Sequence, residues 1–386
     1  MQGLPEPFAR LARLHRPGGN AGTIGAGRLT ELEAFGSNPG ALRARVHLPE
    51  NLADNAPLVV VLHGCTQSAA GYDIGAGWSE LSDQYGFVLL FPEQQRQNNP
   101  SLCFNWFVPE DSRRDSGEAL SIRQMIGTVV DRHGIDPARI FVTGLSAGGA
   151  MASVMLATYP EIFAGGAIIA GLPYGSAGTV PQALERMRGQ SVPSASELAA
   201  LVRGATDHAG PWPTISIWHG SGDTTVNPSN ADAIIAQWRI LHGVGATPAR
   251  TDAVNGYPRR VWCDAGGREV IEEYSITGMG HGTPLDTLSA DGCGKCGAYM
   301  IEASISSTRH ICRFWKLDAA RAGIERSAAA HQSMSIATEP SPDATAMQPA
   351  RSTAGQATHQ ARVSPRSGGS IGTVIEDALR AAGLMR

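Results

Sequence analysis

Apolar positions along this chain fall into short unbroken runs that alternate with longer, helically spaced stretches. Residues 57–62 (PLVVVL) form a run rich in β-branched side chains that ends at His63 and Gly64, which predicts a strand buried on both faces. Residues 87–91 predict a second strand, stopped by Pro92, and residues 78–85 between them carry a helix-like mixture. In residues 116–132, Leu120, Ile122, Met125, Ile126, Val129 and Val130 recur at mainly helical intervals, and His133-Gly134 followed by Pro137 ends the helix. Residues 139–143 read as a strand and 151–158 as a helix. Further strands are expected at 167–170, 214–218 and 270–276, with a helix over 231–241. Strand and helix in regular alternation from about residue 40 predict an α/β fold: a doubly wound, mostly parallel sheet with helices on both faces.

Two stretches break that rhythm. Residues 173–213 hold Pro173, Pro181, Pro193, Pro211 and Pro213 around two short helical patterns, so a cap-like insertion over the strand ends is expected there. From about residue 322 the composition shifts to Ala, Ser, Thr, Gln and Pro with few aliphatics, which suits a flexible tail. Within it Val374, Ile375, Ala378, Leu379 and Ala382 are spaced for a short terminal helix. The expected organisation is an N-terminal segment, 1–27, a catalytic domain, 28–321, and the tail, 322–386.

Composition narrows the function classes. The chain is 42% hydrophobic and 17% charged with a net charge of -4, which suits a soluble enzyme and gives no positive field for nucleic acid. Phe8, Leu11 and Leu14 near the N-terminus lie on one helix face, whereas a secretory signal needs a continuous apolar run of about 7 to 15 residues. The longest apolar run, around 163–172, is well short of the roughly 18 residues of a membrane span. The six cysteines, Cys65, Cys103, Cys263, Cys293, Cys296 and Cys312, fit an oxidising compartment, and sequence does not select their pairing. Cys293 and Cys296 have the spacing of half a zinc site, but no second Cys or His pair stands nearby at matching spacing, so a disulfide or free thiols are expected rather than a metal.

The chemistry centres on Gly144-Leu145-Ser146-Ala147-Gly148. Such a pattern is short and common, and its context is the test: here it follows a predicted strand and precedes a predicted helix. A sharp turn between them exposes a serine at the top of an α/β-hydrolase sheet, and small neighbours let the turn close. The bland reading is a glycine-rich turn with an N-cap serine. A serine hydroxyl needs a base held by a carboxylate, and in this fold the chain order is Ser, then Asp or Glu, then His. Asp223, just past the strand at 214–218, is the expected acid, with Asp207 and Asp232 as alternatives. His281, in the glycine-flanked loop after the last strong strand, is the expected base. His219 lies near Asp223 but precedes it and reads as a loop-positioning residue; His310 reads as structural. Backbone N–H groups of Ala147 and Cys65 are the expected oxyanion donors.

These segments together resemble the poly(3-hydroxybutyrate) depolymerase family of esterases, the extracellular type 1 catalytic domain of short-chain-length polyhydroxyalkanoate depolymerases. The resemblance rests on residues 37–42 (SNPGAL), 62–67 (LHGCTQ), 91–94 (FPEQ), 103–107 (CFNWF), 144–151 (GLSAGGAM), 159–174, 219–228 (HGSGDTTVNP) and 278–286 (GMGHGTPLD), and covers about residues 28–318. It implies hydrolysis of polyhydroxyalkanoates or their oligomers through an acyl-serine intermediate, without a cofactor. Ser146, Asp223 and His281 fall on the family's triad positions and Cys65 on its oxyanion loop. The resemblance further implies a disulfide between the Cys65 and Cys103 loops, an acyl groove lined by Trp106 and Tyr174, and an extracellular location. Two departures stand out: neither a signal-like run nor a separate polymer-adsorbing domain is visible, so a cytoplasmic location is the alternative. Acetyl xylan or feruloyl carbohydrate esters are the second substrate class. A non-catalytic polymer-granule surface protein is the third reading, motivated by the tail.

Overall fold

Ten of the apolar and alternating runs hydrogen-bond into one sheet in the computed structural model, which describes residues 28–50 and 52–318. In chain order its strands are β1 (Thr30–Glu31), β2 (Arg43–His47), β3 (Leu58–Leu62), β4 (Val88–Glu93), β5 (Ile140–Leu145), β6 (Gly165–Ile169), β7 (Thr214–Gly220), β8 (Arg250–Val254), β9 (Tyr257–Cys263) and β10 (Glu269–Ile276). Across the sheet they run β1-β2-β4-β3-β5-β6-β7-β10-β9-β8. The six central strands, β4 to β10 in that order, are parallel, and each edge carries two antiparallel strands. This is the α/β-hydrolase architecture expected from the alternation of elements. A small parallel pair, β11 (Thr283–Leu285) and β12 (Met300–Glu302), stands apart from it.

Helices cover both faces, which is why the central strands are apolar throughout rather than alternating. On one face lie α3 (Gly117–His133), α4 (Ala147–Thr158) and α7 (Ser229–Leu241), packed with Leu58, Val60 and Leu62 of β3. On the other lie α1 (Ala69–Ala76), α2 (Trp78–Tyr85) and α8 (Ser307–Phe314), packed with Val59 and Val61. Every residue of α4, at the centre, is buried. The insertion over 173–213 contains α5 (Val180–Met187) and α6 (Ala195–Arg203), as the proline-bounded helical patterns predicted.

Three local expectations change. β4 does not stop at Pro92 but runs on to Glu93. Pairing with β3 ends at Leu90, so beyond it only β2 bonds to β4, and a proline without an N–H can be carried on the open side. α1 was not expected from its glycine-containing sequence; Ser68 caps it by accepting from Gly71 N, and Gly77 ends it in the left-handed region. The β8–β9 hairpin turns on Asn255 and Gly256, both at positive φ. The N-terminal segment and the tail, with the short terminal helix expected in it, lie outside the described residues. Among the described residues, no helix is long and apolar enough to cross a membrane.

Candidate active site

Ser146 stands between β5 and α4 with φ 57° and ψ −117°, a conformation that L-residues adopt only when their surroundings impose it. Here the backbone is held on both sides: Ser146 N donates to Ile169 O at 2.9 Å, and Ala150 N donates to Ser146 O at 2.8 Å. The turn also needs its glycines. A Cβ on Gly144 would collide with the Gly148 backbone, and one on Gly148 with the carbonyls of Leu62 and His63. The pattern around Ser146 is therefore a packing requirement of the central strands.

Asp223 and His281 come from loops after β7 and β10, neighbours in the sheet, so both sit at the same strand ends as Ser146. The two loops are stitched together. Ser221 N donates to Ile276 O, Gly222 N to Met279 O and Gly278 N to Ser221 Oγ. Any side chain at Gly220 would strike the Met279 carbonyl. Within this frame Asp223 Oδ1 accepts from Thr225 N at 2.8 Å and Val226 N at 2.9 Å, and Oδ2 accepts from His281 Nδ1 at 2.7 Å. His281 thus carries its proton on Nδ1 and leaves Nε2 with a lone pair. Among the described residues no hydrogen bond joins the Ser146 hydroxyl to His281; unliganded sites often hold this contact long.

His219, on β7 itself, approaches Asp223 Oδ2 to 3.3 Å, while its Nε2 lies 2.9 Å from Val226 O, to which it donates. It is buried beneath the acid and holds the loop that follows. Burial works against charge on Asp223, yet the two imidazoles outweigh it and hold the carboxyl well below its ordinary range. The alternatives are elsewhere: Asp232 pairs with Arg260, and Asp207 lines a surface recess with Arg114 and Glu161. His310 packs on Trp218 and Tyr274, and burial lowers its pKa to about 4.

A narrow apolar cavity opens beside Ser146. Its lining includes Cys65, Cys103, Trp106 and Ala147, as well as Leu172, Val226 and four α5 residues, Val180, Ala183, Leu184 and Met187. None of the described residues that line it is charged. Among the described residues neither the N–H of Cys65 nor that of Ala147, the first residue of α4, where an intrahelical partner is missing, has an acceptor. Tyr174, expected in the groove, is not among its lining residues. The Gln237 side chain of α7 bonds both the backbone N–H and the backbone carbonyl of Tyr174, each at 3.0 Å.

Cys65 and Cys103 form a disulfide across 38 residues. Around it the loop is pinned repeatedly: Gly64 N donates to Gln67 Oε1, Thr66 N to Ser101 O, and Gln94 N to the buried His63 Nε2. Beneath lies Glu118, in the first turn of α3, which accepts from Gln94 Nε2, Asn98 Nδ2 and Asn105 N. Burial, aided by Asp111, raises its pKa to about 8 against those hydrogen bonds. Sequence reasoning passed over His63, Gln94 and Glu118; the first two lay within quoted motifs, but nothing local marked them as supports. Cys293 is buried 3.4 Å from Ser306 Oγ, Cys296 is exposed, and no group of three or more potential ligands gathers for a metal among the described residues.

Fold and strand-end geometry define an α/β-hydrolase, and its similarities to esterases make it a carboxylic ester hydrolase. The chain belongs to the Esterase PHB depolymerase family, whose model matches residues 43–256. It is 46% identical over 289 residues to poly(3-hydroxyalkanoate) depolymerase C of Paucimonas lemoignei, covering 74% of this chain and 70% of that protein. Feruloyl esterase B of Talaromyces stipitatus is 32% identical, with 68% of this chain and 75% of that protein aligned. Among solved structures, the acetyl xylan esterase of Aspergillus awamori superposes with a TM-score of 0.61 at 29% identity, covering 66% of this chain and 94% of that one.

Proposed function

We propose that this protein hydrolyses ester bonds of poly(3-hydroxyalkanoates) or their oligomers, with Ser146 as nucleophile, His281 as general base and Asp223 as its orienting acid. The observation that carries the reading is the uncharged, largely apolar cavity that opens directly on Ser146 and suits a short aliphatic acyl group. Ser146 Oγ attacks the ester carbonyl as its proton passes to His281 Nε2. The N–H groups of Cys65 and Ala147 receive the developing oxyanion, a contribution of about 3 to 4 kcal/mol per donor. The tetrahedral species collapses, His281 protonates the departing alcohol, and water then attacks the acyl-serine with His281 again as base. Every proton is returned within one cycle, and the chemistry calls for no cofactor. Similarity to the Paucimonas depolymerase supports the substrate class. The working compartment we infer is extracellular, which the Cys65–Cys103 disulfide supports.

The test is substrate competition on purified protein. Release of 3-hydroxybutyrate from amorphous polyhydroxybutyrate and from short oligomers is expected to exceed release of acetate from acetylated xylan and of ferulate from feruloyl sugars. Ser146→Ala is expected to lower kcat/KM on p-nitrophenyl butyrate by at least about a thousandfold with the fold intact. Preference for the carbohydrate esters, the reading favoured by the feruloyl and acetyl xylan relatives, would displace the polyester assignment.

A further inference from the structure

The loop that carries Cys65 has two sides. Cys65 faces the apolar cavity, whereas Thr66 and Gln67 line a second, open recess. The opposite wall of this recess is residues 295–298 and Met300, and Lys295 is the one charged side chain among the residues that line it. The Lys295 backbone is fixed, its N donating to Gly75 O at 2.9 Å, and no carboxylate pairs with its ammonium among the described residues. The same segment backs the proposed base. Tyr299 packs edge-on against His281 at 5.9 Å between ring centroids, and its carbonyl accepts from Thr283 N at 2.8 Å.

These positions order the substrate. The acyl part of an ester bound at Ser146 occupies the uncharged cavity on the Cys65 side. In the proposed mechanism the alcohol part is protonated by His281 and leaves on its side, where Tyr299, which packs on His281, continues the segment that walls the second recess. A hydroxyacid oligomer differs from a polymer interior in one respect there: its alcohol-side fragment ends in a free carboxylate.

We propose that the recess between Thr66–Gln67 and Lys295–Met300 receives the alcohol-side portion of the substrate, with Lys295 pairing with the terminal carboxylate of a hydroxyacid oligomer. This rests on the polyester reading of the site. It makes the enzyme a chooser of free-acid chain ends over blocked ones, a preference set by one ion pair outside the acyl cavity.

The experiment compares 3-hydroxybutyrate dimer, trimer and tetramer acids with their methyl esters on wild type, Lys295→Arg, Lys295→Gln and Lys295→Glu. The readout is the ratio of kcat/KM for acid over methyl ester at each length. In wild type this ratio is expected to exceed one and to fall with added salt. It should fall about fivefold in Lys295→Gln at the preferred length, the scale of one exposed ion pair. It should fall further in Lys295→Glu and largely recover in Lys295→Arg. A ratio that does not move in Lys295→Gln, while wild type cleaves the oligomers, overturns the proposal alone. A wild type that cleaves p-nitrophenyl butyrate but neither acids nor methyl esters overturns the polyester reading, and this proposal with it.

Discussion

Two imidazoles converge on one carboxylate in this site, and their hydrogen bonds assign them different work. His281 spends Nδ1 on Asp223, which leaves Nε2 free for a proton, whereas His219 spends Nε2 on the Val226 carbonyl and is buried within β7. Asp223→Asn separates orientation from charge. The amide oxygen can still accept from Thr225 N and Val226 N, so the loop keeps its shape, but an NH₂ group then faces His281 Nδ1 and disfavours the productive tautomer. A loss of about a thousandfold to ten-thousandfold in kcat on p-nitrophenyl butyrate is expected, with KM and melting temperature little changed. A parallel loss of stability would mean that the carboxylate serves the fold more than the reaction. That Asp223 and His281 would meet at the strand ends beside Ser146 was legible because chain order constrains them. Tyr174 does not line the Ser146 cavity, and the amide that binds its backbone, Gln237, lies 63 residues further on and leaves no local trace.

At the level of elements, the strand–helix alternation reported the sheet faithfully where both faces are covered, since burial makes those strands apolar throughout. It failed at the edges. β8 and β9 are half-exposed and charged, and only Asn255-Gly256 marked their hairpin. It could not foresee, either, that α3 supports the disulfide loop through Glu118. That carboxyl, ordinarily near 4.5, is raised to about 8 in the fold, chiefly by burial. A raised acid favours the folded state most below its unfolded pKa, and the benefit is lost progressively as pH rises from about 4.5 toward 8. Glu118→Gln cannot ionise, so its melting temperature relative to wild type is expected to climb by several degrees between about pH 5 and pH 8.5, followed by thermal denaturation monitored by circular dichroism. A difference constant with pH would show the carboxylate to be charged throughout.

Viewed whole, the described residues enclose two cores, one on each face of the sheet, with the Ser146 cavity at the strand ends. A chain of residues 28–321 is therefore expected to fold and to retain p-nitrophenyl butyrate activity within about twofold; a larger loss would assign the flanking residues a part in the site. The cavity itself is built from distant pieces, with α5 tied to the acid loop through Asn227 N to Met187 O and Asn230 Nδ2 to Arg186 O. One joint in this assembly differs in kind from the rest. Hydrogen bonds re-form by themselves whenever the chain folds, but the link between Cys65 and Cys103 needs an electron acceptor. Competence thus has a history as well as a geometry. Two molecules of identical sequence and nearly identical shape can differ in whether the Cys65 loop has been locked to the Cys103 loop, and the oxidative history of each decides which form it takes.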